Sequence, residues 1–127
     1  MYYPDFSPYC YIERTAAPNI LNIGWLESPH PFPRNKASEA LLDALFQKCL
    51  HMVNPTRGHH QCQFCDVPTR GVEVSRNGKN VWLGSAEIRV KAKDGMIYAA
   101  PNLIYHYVLE HDYDPPQEFV EALFSDR

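Results

Sequence analysis

Two cysteines and a group of histidines in this sequence have the types and spacing of a metal site. Cys62 and Cys65 form a C-x₂-C pair, and His106 and His111 follow at H-x₄-H spacing. A tight turn can aim two thiolates at one point, and imidazoles near a helix end complete the ligand set of a closed tetrahedral Zn²⁺ site. His60 lies two residues before Cys62 and is a fifth candidate for four positions. The pattern therefore predicts one structural Zn²⁺.

The choice among the five candidates depends on the direction in which His111 points. On an ideal helix, His106 and His111 would be separated by ~140° around the axis. Joint binding therefore requires the last helical turn to tighten or unwind near His111. If His111 instead faces the core, His60 takes its place beside the two cysteines and His106.

A catalytic zinc site is the main alternative to a structural one. It would make the chain a zinc-dependent hydrolase or nuclease with an open coordination position, and the candidate bases are Glu87, Glu110 and Asp112. However, neither H-E-x-x-H nor the zinc-deaminase signature occurs. Two thiolates with enough histidines to close the sphere favour a structural ion. We therefore assign no catalytic residue. A thioredoxin-like pair is disfavoured because residues 66–69 look like a loop rather than a helix.

Prolines and changes of hydrophobic period divide the chain into the elements that would position these ligands. We expect a single α+β domain, residues 1–127, in which about three helices pack on an antiparallel β-meander. A bound zinc ion would join the ligand loop to a helix. The predicted segments are an aromatic-rich N-terminal arm (1–18), a helix (38–52), the ligand loop (57–66), the meander (71–100) and two further helices (101–111 and 115–125).

The pattern is clearest in the first helix and in the meander. Apolar residues recur at helical spacing in the helix and alternate with polar residues in the meander. Asn77-Gly78 predicts a tight hairpin turn. Cys49 belongs to the helical stripe and is better interpreted as a small buried apolar residue than as a ligand. The stripe consists of Leu41, Leu42, Leu45 and Cys49.

Composition and charge exclude several classes of partner. The 127 residues carry a formal net charge of −3 without a basic stripe, so we expect no nucleic-acid partner. No apolar run approaches the ~20 residues of a membrane span, and the first residues do not form a signal peptide. We therefore expect a cytoplasmic protein whose thiols stay reduced and available to metal.

Six sequence blocks together resemble a family of small bacterial proteins of uncharacterised activity. The resemblance covers nearly the whole chain and implies that the cysteine and histidine blocks belong to one site. The blocks are NIGWL (22–26), HPFP (30–33), RGHHQCQFC (57–65), SAEIRV (85–90), YAAPNLIYHYV (98–108) and HDYDPPQEF (111–119).

Size and charge also resemble those of immunity proteins, which neutralise bacterial toxins. We expect a non-enzymatic binding protein whose partner is a toxin or an assembly component. Its docking surface would be an aromatic or acidic patch rather than the metal. The candidate surfaces are the loop 27–32, the N-terminal arm, and Glu118 with Glu121.

Overall fold

The computed structural model describes residues 2–9, 19–53, 62–65 and 72–126. Within these ranges the chain forms five strands and three helices. In chain order they are β1 (Ile20–Asn22), α1 (Glu39–Cys49), β2 (Val72–Arg76), β3 (Lys79–Leu83), β4 (Glu87–Lys91), β5 (Ile97–Pro101), α2 (Ile104–His111) and α3 (Gln117–Ser125).

The α+β class predicted from the sequence is confirmed, and the strands divide between two small sheets. One sheet has the order β1-β5-β4, with β1 parallel and β4 antiparallel to β5. The other is the antiparallel hairpin β2-β3. Strands β3 and β4 do not pair with each other. At the start of β4, Val53 forms an isolated bridge with Glu87 through backbone hydrogen bonds of 2.7 and 2.8 Å. The segment predicted as one meander therefore contributes to both sheets.

The hairpin turn lies where the Asn-Gly signal places it. Asn77 and Gly78 have φ values of 54° and 78°, the positive values of a two-residue hairpin turn. Beyond the turn, Val81 and Leu83 are buried while Trp82 between them is exposed. This alternation follows from the period of two along a strand, and it places the hairpin against the core on one face.

Helix α1 contributes the stripe predicted for it. Ser38 caps the helix, because its hydroxyl accepts a 3.1 Å hydrogen bond from the amide of Leu41. All four residues of the predicted stripe are buried, together with Phe46. Cys49 is fully buried, and burial raises its pKa to about 12. The prediction that Cys49 is an apolar core residue is confirmed.

Asn102 is a buried polar residue that joins the two sheets. Its side chain accepts a hydrogen bond from the amide of Gly84 (2.8 Å) and donates one to the carbonyl of Trp82 (3.1 Å). The backbone amide of Asn102 donates to Ala86. Gly84 and Ala86, at the two ends of the β3–β4 connection, are thus both hydrogen-bonded to Asn102, which follows β5. Strand β5 ends at Pro101, just before Asn102, and α2 begins at Ile104, three residues later than the predicted start.

The described part of the N-terminal arm packs across the domain. Tyr3 forms an isolated bridge with Trp25, and their rings meet edge to face. Asp5 accepts hydrogen bonds from the amide of Gly24 and from the hydroxyl of Tyr113. Residues 10–18 of the predicted arm lie outside the described residues.

None of the helices in the described part of the chain has the length and apolar character needed to cross a bilayer.

Candidate metal centre

The two cysteines lie on a short loop that is fixed by contacts of the two residues between them. Cys62 is buried and Cys65 is partly buried. Between them, the side chain of Gln63 accepts a 3.0 Å hydrogen bond from the amide of Ser28. The ring of Phe64 packs edge to face on Phe32, with the ring centroids 5.1 Å apart. These contacts hold the C-x₂-C turn against the loop that precedes α1.

The two histidines lie on α2, and the end of this helix is wider than an ideal α-helix. The amides of Asp112 and Tyr113 both donate to the carbonyl of Tyr107, five and six residues earlier. A hydrogen bond that spans five residues closes a larger turn than the four-residue bond of an α-helix. Residues five positions apart are thereby brought toward the same face. His106 and His111 are five apart, and their ring centroids lie 5.1 Å from each other.

Pairing with the loop before α1 stabilises this helix end. The segment around Arg34 runs antiparallel to the residues after α2: Asn35 donates to Asp112 (2.8 Å) and Asp114 donates to Pro33 (2.9 Å). The guanidinium of Arg34 donates to the carbonyl of His111 (3.1 Å). One of the orphan carbonyls that every helix end leaves is thereby satisfied. The position of His111 is therefore set by the tertiary structure as well as by its own helix.

The four side chains converge on one point. The ligand atoms of Cys62, Cys65, His106 and His111 all lie within 4.8 Å of one another. The shortest separations join Cys62 Sγ to His111 Nε2 (3.2 Å), Cys65 Sγ to His106 Nε2 (3.2 Å) and Cys65 Sγ to His111 Nε2 (3.4 Å). Tetrahedral bonds of ~2.3 Å to sulfur and ~2.0 Å to nitrogen would place such pairs ~3.6 Å apart. The cluster can hold a metal ion with small side-chain adjustments.

Burial favours the neutral forms of Cys62, His106 and His111 in the metal-free cluster. Desolvation raises the pKa of Cys62 to about 11, so its thiol holds a proton at neutral pH until a cation replaces it. Desolvation also lowers the pKa of His106, and the nearby charge of His111 adds to the effect. The pKa of His111 is lowered by desolvation and then by the charge of Arg34. Neutral imidazoles are the form that binds a metal ion.

Aromatic rings enclose one side of the cluster. The centroid of Phe64 lies 5.8 Å from the ring of His111 and 6.0 Å from that of Tyr107. The packing of Phe64 beside the cluster and the contact of Arg34 with the helix end were not predicted from the sequence. The signal that could have indicated this aromatic packing is the position of Phe64 inside the C-x₂-C turn, where an apolar ring must pack beside the candidate ligands.

The structure brings together four of the five residues proposed as ligands. His60, the fifth, lies outside the described residues. The candidate bases do not join the cluster. The Oε1 atom of Glu87 accepts hydrogen bonds from the hydroxyl of Tyr9 (3.0 Å) and the guanidinium of Arg89 (2.8 Å). Glu110 and Asp112 are exposed on either side of His111.

A model of a known protein family matches nearly the whole chain. Residues 1–124 match the family described as "Domain of unknown function (DUF7919)". The chain belongs to this family. The DUF7919 match includes both halves of the metal cluster, so loop and helix are parts of one family domain. The expected membership of an uncharacterised domain family is confirmed.

Neither the comparison with curated proteins nor that with solved structures gave a match.

Proposed function

We propose that this DUF7919 domain is a non-enzymatic binding protein stabilised by one structural Zn²⁺. The observation that carries the metal assignment is the convergence of two thiols and two imidazoles within 4.8 Å. Two sulfur and two nitrogen ligands are a common set for structural zinc, whereas magnesium and calcium prefer oxygen ligands. Zinc would join the C-x₂-C loop to the end of α2 and supply the cation that the buried Cys62 thiolate needs.

The number of protein ligands supports a structural role over the hydrolase alternative. A catalytic zinc keeps one position open for water or substrate. Here four side chains are close enough to fill all four positions of a tetrahedron. The buried candidate base, Glu87, is already hydrogen-bonded to Tyr9 and Arg89. Binding to a partner is therefore a better hypothesis for this domain than turnover of a substrate.

Metal analysis with cobalt substitution tests the structural assignment. Protein purified without chelator should contain one zinc per chain. The cobalt derivative should show the intense visible bands of a tetrahedral ion and the thiolate charge-transfer bands expected for two sulfur ligands. An absence of bound metal, or a cobalt spectrum that changes on addition of small anions that displace a bound water, would contradict it.

Single histidine variants test which ligands close the site. His111→Ala should lose metal affinity at least tenfold, whereas His60→Ala should retain one zinc per chain. His30→Ala is the matched control, because His30 is exposed and stacks on Tyr2 with ring centroids 3.8 Å apart. If His60→Ala loses the metal and His111→Ala keeps it, the alternative ligand set is correct.

An immunity protein that neutralises a toxin in the cytoplasm is one specific form of the binding function. Its support is the small size and the net charge of −3, which suit a basic partner. The test is co-expression with toxic products of neighbouring genes. Relief of toxicity together with a stoichiometric complex would support this form, and relief without a complex would contradict it.

A further inference from the structure

A second candidate site lies in a cavity between the end of α1, the strand β4 and the residue that follows α3. The cavity has a volume of about 410 Å³, within the ~300–1,000 Å³ range of small-molecule pockets. Among its described lining residues, Lys48 and Arg89 are cations, and Asp126 is the one carboxylate. None of these three belongs to the cysteine-histidine cluster. The described lining therefore has an excess of positive charge, although the chain has a formal net charge of −3.

Backbone groups at the outer edge of β4, the edge opposite β5, border this cavity. In an antiparallel pair, successive residues of a strand direct their amide and carbonyl to opposite edges. Glu87 uses both groups at the outer edge to bond with Val53, and the amide of Lys91 donates to the carboxylate of Asp126 (2.9 Å). Arg89 lies midway between Glu87 and Lys91, so its amide and carbonyl face the same outer edge.

The gap at Arg89 is one residue long. In the part of the chain that the structure describes, no residue forms a hydrogen bond with the amide or the carbonyl of Arg89. Its register partner on β5, Ala99, directs its carbonyl to Ile23 on the other side of that strand. A strand running along the outer edge would find the neighbouring positions occupied by Val53 and Asp126. A single terminal residue fits the gap better than a continuous strand.

The side chain of Arg89 is held in place beside this gap. Its Nη1 donates to Oε1 of the buried Glu87 (2.8 Å), and its guanidinium lies 4.7 Å from the centroid of the Tyr9 ring. Both hydrogen bonds that this side chain makes to described residues use Nη1, whereas a guanidinium has five N–H donors. Nζ of Lys48 donates to Asp126 (2.7 Å) and has two further donors. Both cations therefore have donors available to a ligand carboxylate.

We propose that this cavity binds a terminal carboxylate preceded by a secondary amide, the group found at the C-terminus of a peptide and in an N-acyl amino acid. The carboxylate pairs with Lys48 and Arg89 and accepts a hydrogen bond from the amide of Arg89. The N–H of the ligand donates to the carbonyl of Arg89, which a simple carboxylate such as acetate would leave without a donor. The site is separate from the metal cluster, so the zinc content reports independently on the proposed structural role.

Titration of the full chain as purified with N-acetylglycine, followed by amide chemical shifts, tests the proposal. The shifts should change at Arg89 and at the end of α1. N-acetylglycinamide, which lacks the negative charge, should bind at least tenfold more weakly. N-acetylsarcosine, whose amide nitrogen is methylated, should bind at least threefold more weakly because it cannot donate to the carbonyl of Arg89.

Two variants test the cations while leaving donors for the carboxylates that they contact. Arg89→Lys keeps a positive charge beside Glu87 but loses the planar fork, and it should weaken binding at least threefold. Lys48→Gln can still donate to Asp126 but lacks the charge, and it should also weaken binding at least threefold. Lys79→Gln is the matched control, because Lys79 is exposed on β3 and does not line the cavity.

A capped tripeptide that ends in a free glycine carboxylate distinguishes the two sources of the group. Tighter binding of this peptide than of N-acetylglycine supports the end of a peptide chain, and equal or weaker binding supports an N-acyl amino acid. Equal binding of N-acetylglycine and either of its two analogues would overturn the proposal. An absence of shifts at Arg89, or tighter binding of acetate or inorganic phosphate, would overturn it as well.

Discussion

The protonation of single residues in the candidate metal cluster would couple the binding of a metal ion to folding. Cys62 is exposed over 3% of its surface, and burial raises the pKa of its thiol to about 11. His106 is also buried, and its pKa is lowered by desolvation. Without a metal, the folded chain buries a neutral thiol and a neutral imidazole. A bound cation converts the thiol to a thiolate and makes metal affinity a part of folding free energy.

Cys62→Ser tests this link at the residue scale. A serine hydroxyl is a poor zinc ligand, so the variant should lose its metal and lose more than about 3 kcal/mol of unfolding free energy. Urea unfolding followed by circular dichroism, together with metal analysis, provides the measurement. Cys49→Ala is the control because Cys49 is also buried but lies outside the cluster. It should lose about 1 kcal/mol through the removed sulfur and keep its zinc. An unchanged melting temperature in Cys62→Ser would argue against the site.

At the scale of elements, a close contact positions α2 relative to the strand β1. Gly24 follows β1 with a φ of +77°, and a Cβ atom built on it would lie 2.8 Å from Cδ1 of Ile104. Ile104 is the first residue of α2, the helix that carries both histidines of the candidate metal cluster. The glycine therefore allows the helix to begin close enough to the strand for its other end to reach the cysteine loop.

Gly24→Ala should destabilise the domain through both backbone strain and this contact. Gly78→Ala is the matched control, because Gly78 has a φ of +78° but nothing lies within 4 Å of the added Cβ. The left-handed backbone should cost each variant ~1–2 kcal/mol. The contact with Ile104 should add ~1–3 kcal/mol for Gly24→Ala alone. Urea unfolding of the two variants measures the difference, and equal losses would show that Ile104 moves away freely.

At the scale of the whole molecule, the residue that follows α3 joins elements that are far apart in sequence. Asp126 Oδ2 lies 2.7 Å from Nζ of Lys48 on α1 and accepts a 2.9 Å hydrogen bond from the amide of Lys91 on β4. Burial alone would raise the pKa of Asp126, but these two donors reverse the effect, and the resulting pKa is below its ordinary value. The end of α3 is thus held against both the first helix and the sheet.

Asp126→Asn should weaken this connection in a pH-dependent way. A depressed folded pKa stabilises the fold above the unfolded pKa of ~3.9. That contribution disappears as the pH falls through the lower folded value. The variant should therefore lose about 1 kcal/mol at pH 7 and approach the wild type in acid. Thermal unfolding across the pH range measures this, and a loss that stays constant down to acid pH would contradict the assigned cause.

Metal removal should destabilise the whole domain. A ligand that binds only the folded state raises its stability in proportion to the logarithm of free ligand over Kd. Chelator should lower the melting temperature of the wild type, and added Zn²⁺ should restore it. Cys62→Ser should not respond to either treatment. A metal-free wild type with an unchanged melting temperature would contradict a structural role.

Local sequence patterns were sufficient to predict the types of the candidate metal ligands and most of the helices and turns. The C-x₂-C pair, the stripe of α1 and the Asn77-Gly78 turn depend on spacing over a few residues, which the chain specifies directly. The α+β class also followed from the order of these patterns. Tertiary structure decided the rest. The parallel pairing of β1 with β5, the edge position of Val53 and the sheet contacts of Asn102 join residues far apart in the chain. His111 reaches the cluster because the pairing of Arg34 with Tyr113 holds the widened end of α2, and no local pattern encodes a contact between segments that meet only after folding.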